Sequence, residues 1–161
     1  MAMMRIYKSI FEVKKIIYGF LFLLSIVVFM ISACKLISIY FLNYQERKEK
    51  DAVQEVAKVP KNLEKENFTI DWKALKKKNP DVVGWILIPD TDISYPIVQG
   101  SDNSYYLNHT FEKKENYAGS IFMDAGVDAS FQDRNTTIYG HNVKHGTMFA
   151  ELENFKEQTF F

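Results

Sequence analysis

The chain has 161 residues, 47% of them hydrophobic and 25% charged, with 20 basic and 20 acidic side chains and no net formal charge. That length holds one ordinary domain plus an appendage, and the charge balance excludes both the basic footprint of a nucleic-acid binder and an acidic disordered tail. A single cysteine, Cys34, excludes an intrachain disulfide framework and any metal site built from several thiolates.

From Ile16 to Cys34 the sequence runs IIYGFLFLLSIVVFMISAC without a charge. Such a run is close to the roughly 20 residues that cross a bilayer core of about 30 Å. Apolar sequence continues past Lys35 through LISIYFLNY, so the expected transmembrane anchor covers 16–42. Ser25 and Ser32 are tolerable there because their hydroxyls can turn onto the helix's own carbonyls. A cleaved signal peptide competes with this reading. Its apolar region would be only about 7 to 15 residues long and would end in a small-x-small site, which Ser32–Ala33–Cys34 matches weakly. Cys34 lies inside the apolar run and reads as a small hydrophobe, not a nucleophile. Arg5, Lys8, Lys14 and Lys15 precede the span against Glu12 alone, whereas Arg47, Lys48 and Lys50 after it alternate with Glu46, Glu49 and Asp51. The positive-inside tendency makes 1–15 a cytoplasmic basic tail and puts the residues beyond the anchor outside.

Residues 43–67 are charged, with scattered valines at Val53, Val56 and Val59. They are expected to form a solvated polar stalk, helical in part and broken at Pro60, with no binding role. The domain proper then occupies 68–161. Asp71 is the predicted N-cap of a short helix with Trp72 and Leu75 on one face, and Asn79–Pro80 stop it. The period then changes to that of strands. Val83–Ile88 and Ile93–Val98 read as two strands around the turn Pro89–Asp92, with Pro96 marking an edge or a strand boundary. Gln99–Asn103 is a polar loop, Tyr105–Leu107 a helical turn, Gly119–Met123 a third strand and Asn135–Gly140 a fourth. Thr147–Phe155 carries apolar residues at helical spacing. The predicted class is mainly β with short helices. About four strands do not close a barrel, so the sheet is expected to be open.

Chemistry concentrates in IYGHNVKHGTMF, residues 138–149. It puts His141 behind a glycine in a loop at a strand end, where a scaffold can present a reactive group. Period-two alternation would set Tyr139 and His141 on one side if the strand extends that far. His141 and His145 invite a zinc reading, but the metalloprotease pattern needs Glu where Asn142 stands, and no third ligand is near. His109 reads as a solvated side chain. Taken alone, His141 is as compatible with a structural role as with catalysis.

Three ordered blocks carry more than any single residue: VVGWILIPDTDISYPIVQ, SDNSYYLNHTFEKKENYAGSIFMD and TTIYGHNVKHGTMFAELENF. Together, over about Asn79 to Phe161, they resemble the N-terminal part of the class B sortase domain, and the anchor and stalk match that family's plan. The resemblance implies a sortase-type β-barrel, incomplete here, on a Gram-positive cell membrane. It implies a cysteine transpeptidase that cleaves a C-terminal sorting signal of surface proteins and joins them, through a thioester acyl-enzyme, to an amine of a peptidoglycan precursor. His141 matches the family's catalytic histidine, and Asn103, Leu107 and Tyr139 match positions lining its signal-binding groove. No cofactor and no metal are implied. The family's Thr-Leu-x-Thr-Cys strand and the arginine beyond it have no counterpart in these residues, so the chain is expected to be inactive alone. Two other readings remain: a membrane-anchored module that holds a peptide without cutting it, and a metal-dependent hydrolase using His141 and His145.

Overall fold

The computed structural model describes residues 2–59, 69–143 and 146–157. Their contacts divide the chain into two units, Met1–Leu42 and Asn43–Phe161.

Helix α1 spans Ala2–Ala57. Within it the hydroxyls of Ser25, Ser32 and Ser38 donate to the carbonyls of Phe22, Val28 and Cys34 at 2.7, 2.9 and 2.9 Å, which satisfies them without water. Large apolar side chains stay exposed along the first unit, from Phe11 to Phe41. Among the described residues this is one helix long and apolar enough to cross a membrane, and it is therefore a candidate anchor. The helix stops at Ala57 because Lys58 takes a left-handed φ of 58°. The Val59 amide then donates to Gln54 O at 3.0 Å and that of Lys58 to Glu55 O at 3.1 Å, closing the last turn as a Schellman cap.

Residues 43–57 of α1 belong to the second unit, and they differ from a solvated stalk. Val53 and Ala57 are 2% and 0% exposed and join the main core. Gln54 Nε2 donates to Ser94 O at 2.9 Å, and Lys50 Nζ donates to Asp92 O at 2.7 Å. Val53, Val56 and Ala57 recur at helical spacing, so a sparse set of small apolar residues suffices to make one buried face. The rest of the expected stalk, 60–67, lies outside the described residues.

Helix α2, Trp72–Lys78, starts where Asp71 accepts from the Ala74 amide at 3.0 Å. Its Leu75 is fully buried, whereas Trp72 is 42% exposed. The predicted shared face is therefore narrower than expected. Strands follow at β1 (Val82–Leu87), β2 (Ser94–Val98), β3 (Phe122–Met123), β4 (Ile138–Tyr139), β5 (Asn142–Val143) and β6 (Thr147–Met148). The first four make one sheet in the order β1-β2-β3-β4, and β5-β6 make a two-stranded ribbon. Between β2 and β3 the one pair is Val98↔Phe122, and it is parallel. Pro96, paired with Trp85 on the β1 side, thus lies in a stretch of β2 with a strand on one side alone.

Along β1, Val82 and Trp85 face the core that holds Val53, Leu75 and Tyr106, while Val83 and Ile86 face a second core around Ile97, Ile121 and Met123, a split that strict period-two alternation does not give. A register shift between Val82 and Gly84 bulges the strand. Phe131 covers Gly84, where a Cβ would lie 2.7 Å from the Phe131 ring.

The expected balance needs correcting. Helix outweighs strand among the described residues, because α1 alone has 56 residues and β1, the longest strand, has 6. The third and fourth strands are shorter than predicted. Thr147–Met148 pairs with Asn142–Val143 as a strand, and the helical spacing begins only at a 3-10 helix, Ala150–Lys156. Sheet and short helices agree with the sortase-type fold, and among the described residues β1 and β4 are the ends of the four-stranded sheet.

Candidate functional site

Two segments meet at the β4 end of the sheet: residues 103–107, which include the 3-10 turn Tyr105–Leu107, and residues 139–141. Tyr106 anchors the first. It is fully buried, its hydroxyl donates to Asp81 Oδ2 at 2.7 Å and accepts from Asn79 Nδ2 at 2.9 Å. Asn79 is also fully buried. It is satisfied by donating to Phe111 O at 2.8 Å and accepting from the Asp81 amide at 2.9 Å. Burial, with the Asp81 carboxylate beside it, holds the Tyr106 hydroxyl protonated far above its ordinary range. Asp102 Oδ1 accepts from the amides of Ser104 and Tyr105 at 2.6 and 2.8 Å and so starts the turn.

Glycine lets the turn's carbonyls come close to the chain beside them. Gly119 has φ +60°, and a Cβ there would lie 2.5 Å from both Tyr106 O and Leu107 O. The next amide, Ser120 N, donates to Tyr106 O at 2.9 Å. Leu107 O is thereby fixed, and it accepts a 2.8 Å bond from His141 Nε2. A carbonyl can only accept, so Nε2 carries a proton, and whenever the ring is neutral its lone pair lies on Nδ1. His141 is half-buried. Its own carbonyl accepts from the Phe149 amide at 3.0 Å. At Gly140 a Cβ would run into Ile121 Cδ1 and lie 2.8 Å from Phe149 Cδ2, so a larger residue would push the histidine segment outward or force those side chains to turn.

The second pairing was invisible in the sequence. Asp124, one residue past β3, accepts from Asn103 Nδ2 at 2.8 Å and from the Tyr139 hydroxyl at 2.9 Å, both on Oδ2. Its Oδ1 accepts from the Gly126 amide at 2.7 Å. Asn103 Oδ1 in turn accepts from the Ala125 amide at 2.7 Å. The Gly126 amide, then the Tyr139 hydroxyl and the Asn103 amide, keep the Asp124 carboxyl below the usual carboxylate range. The same bond to Asp124 pushes the Tyr139 phenol upward. Cross-strand pairing sets Tyr139 opposite Phe122, ring centroids 5.2 Å apart, and leaves Tyr139 39% exposed. Leu107 is 44% exposed.

All four residues singled out in the sequence therefore come together in two couples, His141 with Leu107 and Tyr139 with Asn103, the second through Asp124. Strand alternation does not reach His141, because β4 ends at Tyr139. The one signal for Asp124 was a carboxylate directly after a buried strand, two residues before a glycine. His109 is more than a solvated side chain. It stacks on Tyr105 at 4.0 Å, and its Nδ1 lies 2.8 Å from Tyr105 O and 2.9 Å from Asn108 Oδ1. His145, weighed as a zinc ligand, lies outside the described residues, among which no three His, Cys, Asp or Glu side chains gather as a metal site.

Comparison with known proteins bears on the family and the fold. A family model described as the sortase domain matches residues 86–160. Sortase B of Staphylococcus aureus (strain NCTC 8325 / PS 47) is 34% identical over 139 residues, which are 86% of this chain and 57% of that protein. Sortase B of Listeria monocytogenes is 50% identical over 86 residues, 53% of this chain and 35% of that protein. Among solved structures, sortase B from B. anthracis in complex with AAEK1 superposes with a TM-score of 0.67 at 39% identity, over 76% of this chain and 58% of that one. The chain thus spans between about a third and somewhat over half of the length of these curated relatives. Within that span the chain is similar, in sequence and in fold, to class B sortases, and its residues 86–160 match the sortase domain.

Proposed function

We propose that this chain supplies the histidine and one wall of the peptide groove of a class B sortase site, carried outside the cell on a single membrane anchor. In this reading 1–15 is the cytoplasmic tail, 16–42 the anchor, 43–67 the connection and 68–161 the N-terminal part of a sortase barrel. The substrates are the C-terminal sorting signal of a surface protein and an amine of a peptidoglycan precursor. A cysteine thiolate attacks the scissile carbonyl, and the leaving amine takes its proton from the His141 imidazolium as the thioester forms. The acceptor amine then attacks the thioester carbon, gives a proton back to His141 and releases the cysteine as the thiolate. The observation that carries the proposal is the pair of couples at the end of β4. The bond from Nε2 to Leu107 O leaves Nδ1 as the proton-transferring nitrogen, and in this reading Asn103, Leu107 and Tyr139 contact the bound peptide.

The second unit contains no cysteine, and Cys34 belongs to the apolar unit. A second reading is a membrane-anchored module that binds the signal peptide without cleaving it. One experiment separates the two. The full chain in detergent micelles is mixed with a labelled class B sorting-signal peptide and an amine acceptor. The segment of S. aureus sortase B located C-terminal to the aligned region is then added in trans. On the first reading the chain alone binds without turnover, and the added segment restores transpeptidation that His141→Ala abolishes. Binding that persists with no turnover in any combination selects the module. Turnover by the chain alone, lost in His141→Ala, would overturn the account of the nucleophile.

A further inference from the structure

The hydrogen bonds at the end of β4 are unevenly shared. Asp124 Oδ2 takes both the Tyr139 hydroxyl proton and one proton of the Asn103 amide, while its Oδ1 is tied to the backbone at Gly126. Asn103 Oδ1 is occupied by the Ala125 amide, so the orientation of its side-chain amide is set from both ends. Commitment of its proton leaves the Tyr139 oxygen only as an acceptor, and leaves Asn103 one N–H to donate. Without Asp124 the phenol could rotate to donate or accept, and the Asn103 amide would lose the bond that orders it. Gln99 Nε2 also donates to Asp124 O at 2.8 Å and Val127 O at 2.9 Å, which ties the backbone of this turn to the end of β2.

We propose that Asp124 is the positioning residue of the peptide groove, which presents Tyr139 as an obligate acceptor and Asn103 as a donor toward the bound chain. Asp124 touches no reacting atom; it acts through the other two. The inference rests on the peptide-groove reading above. It adds a specificity: the segment lying over Tyr139 must offer an N–H there, from its backbone or from a side-chain amide. A peptide N-methylated at that amide would lose the contact.

The test uses the full 161-residue chain in micelles, ¹⁵N-labelled, with a fluorescein-labelled class B sorting-signal peptide as the probe. In the wild type, the Asn103 side-chain amide signals should shift with pH around a midpoint below the ordinary Asp value of about 3.9. In Asp124→Asn that titration should vanish, Tyr139 should ionise at lower pH than in the wild type, and peptide Kd should rise about 5- to 10-fold. The rise should shrink to less than about 2-fold when Tyr139→Phe is already present, because coupled residues are not additive. A purely structural role would move the melting point without this coupling. Should Asp124→Asn fail to fold, the wild-type titration still decides, and a flat Asn103 profile overturns the proposal. Wild-type peptide affinity in a folded Asp124→Asn also overturns it. A wild type that binds no peptide, yet shows the Asn103 titration, defeats the groove reading while Asp124's hold on the two side chains stands.

Discussion

The two couples of the site are held in place by different physics. His141 is set by shape: Gly119 lets the 106–107 carbonyls approach, and Gly140 lets the histidine segment sink against Ile121 and Phe149. Tyr139 and Asn103 are set by a charge, the Asp124 carboxylate, at a surface where Tyr139 remains 39% exposed. Steric positioning is indifferent to protons and is most rigid where the neighbours are backbone atoms, as at Gly119. Positioning by a half-buried carboxylate is weaker and depends on its ionisation. The difference suits the chemistry proposed here. A proton-transferring nitrogen needs a fixed place, whereas a groove must adjust to its peptide.

Breaking the steric half should give the largest effect. Gly119→Ala must accept a φ of +60° and place a Cβ 2.5 Å from two carbonyl oxygens, which are backbone atoms and cannot step aside. The expected loss is about 3 to 5 kcal/mol of unfolding free energy, read by denaturant melts of the full chain in micelles. In whatever folded fraction survives, the His141 Nε2 proton should lose its hydrogen-bonded NMR signature. A variant within about 1 kcal/mol of the wild type that retains that signature would show that Gly119 does not fix Leu107 O.

Gly140→Ala should cost less, about 1 to 3 kcal/mol. The groups its Cβ meets are the ends of side chains, Ile121 Cδ1 and the Phe149 ring, and these can rotate away in part. The damage should instead appear in function. If the histidine segment is pushed outward, turnover in the reconstituted assay should fall further than peptide affinity does. Equal losses in both would place the strain on the groove and not on His141.

Legibility in the sequence divides along the same line. β1, β2 and the helix capped by Asp71 were legible because their apolar periodicity and cap are local. The histidine, the tyrosine and the turn carrying Leu107 stand out through the resemblance of ordered blocks, not through periodicity. The sequence misleads at β6 because Met148 belongs by spacing to the apolar series of the following helix. Pairing with Asn142 and the bond from its amide to the Tyr95 hydroxyl at 3.1 Å hold it in a strand instead. The buried face of residues 43–57 is hidden because Val53 and Ala57 look sparse until a sheet is packed against them. Asp124 is hidden for a deeper reason. A carboxylate's role depends on its donors, and here they stand 21 and 15 residues away in sequence, one on each side.

The smallest expected effect sharpens the comparison most, because it depends on pH. Asp124 has a folded-state pKa held below the ordinary carboxylate value, first by the Gly126 amide and then by Tyr139 and Asn103. A group depressed in this way adds stability above its unfolded pKa, and that stability is lost as pH falls through the folded value. Tyr139 has the opposite sign: its phenol is raised, chiefly by the bond to Asp124. Its contribution is present below about pH 10, its ordinary value, and is lost as pH rises through the folded one. The melting-point difference between wild type and Asp124→Asn should therefore be a plateau, widest between about pH 5 and 9. It should shrink on the acid side as Asp124 is protonated and on the alkaline side as Tyr139 ionises. For Gly119→Ala the deficit should run flat across the same range, because an overlapping Cβ carries no proton. A flat profile for Asp124→Asn as well would mean that its carboxylate holds Tyr139 and Asn103 through packing alone, and the two halves of the site would not differ in kind.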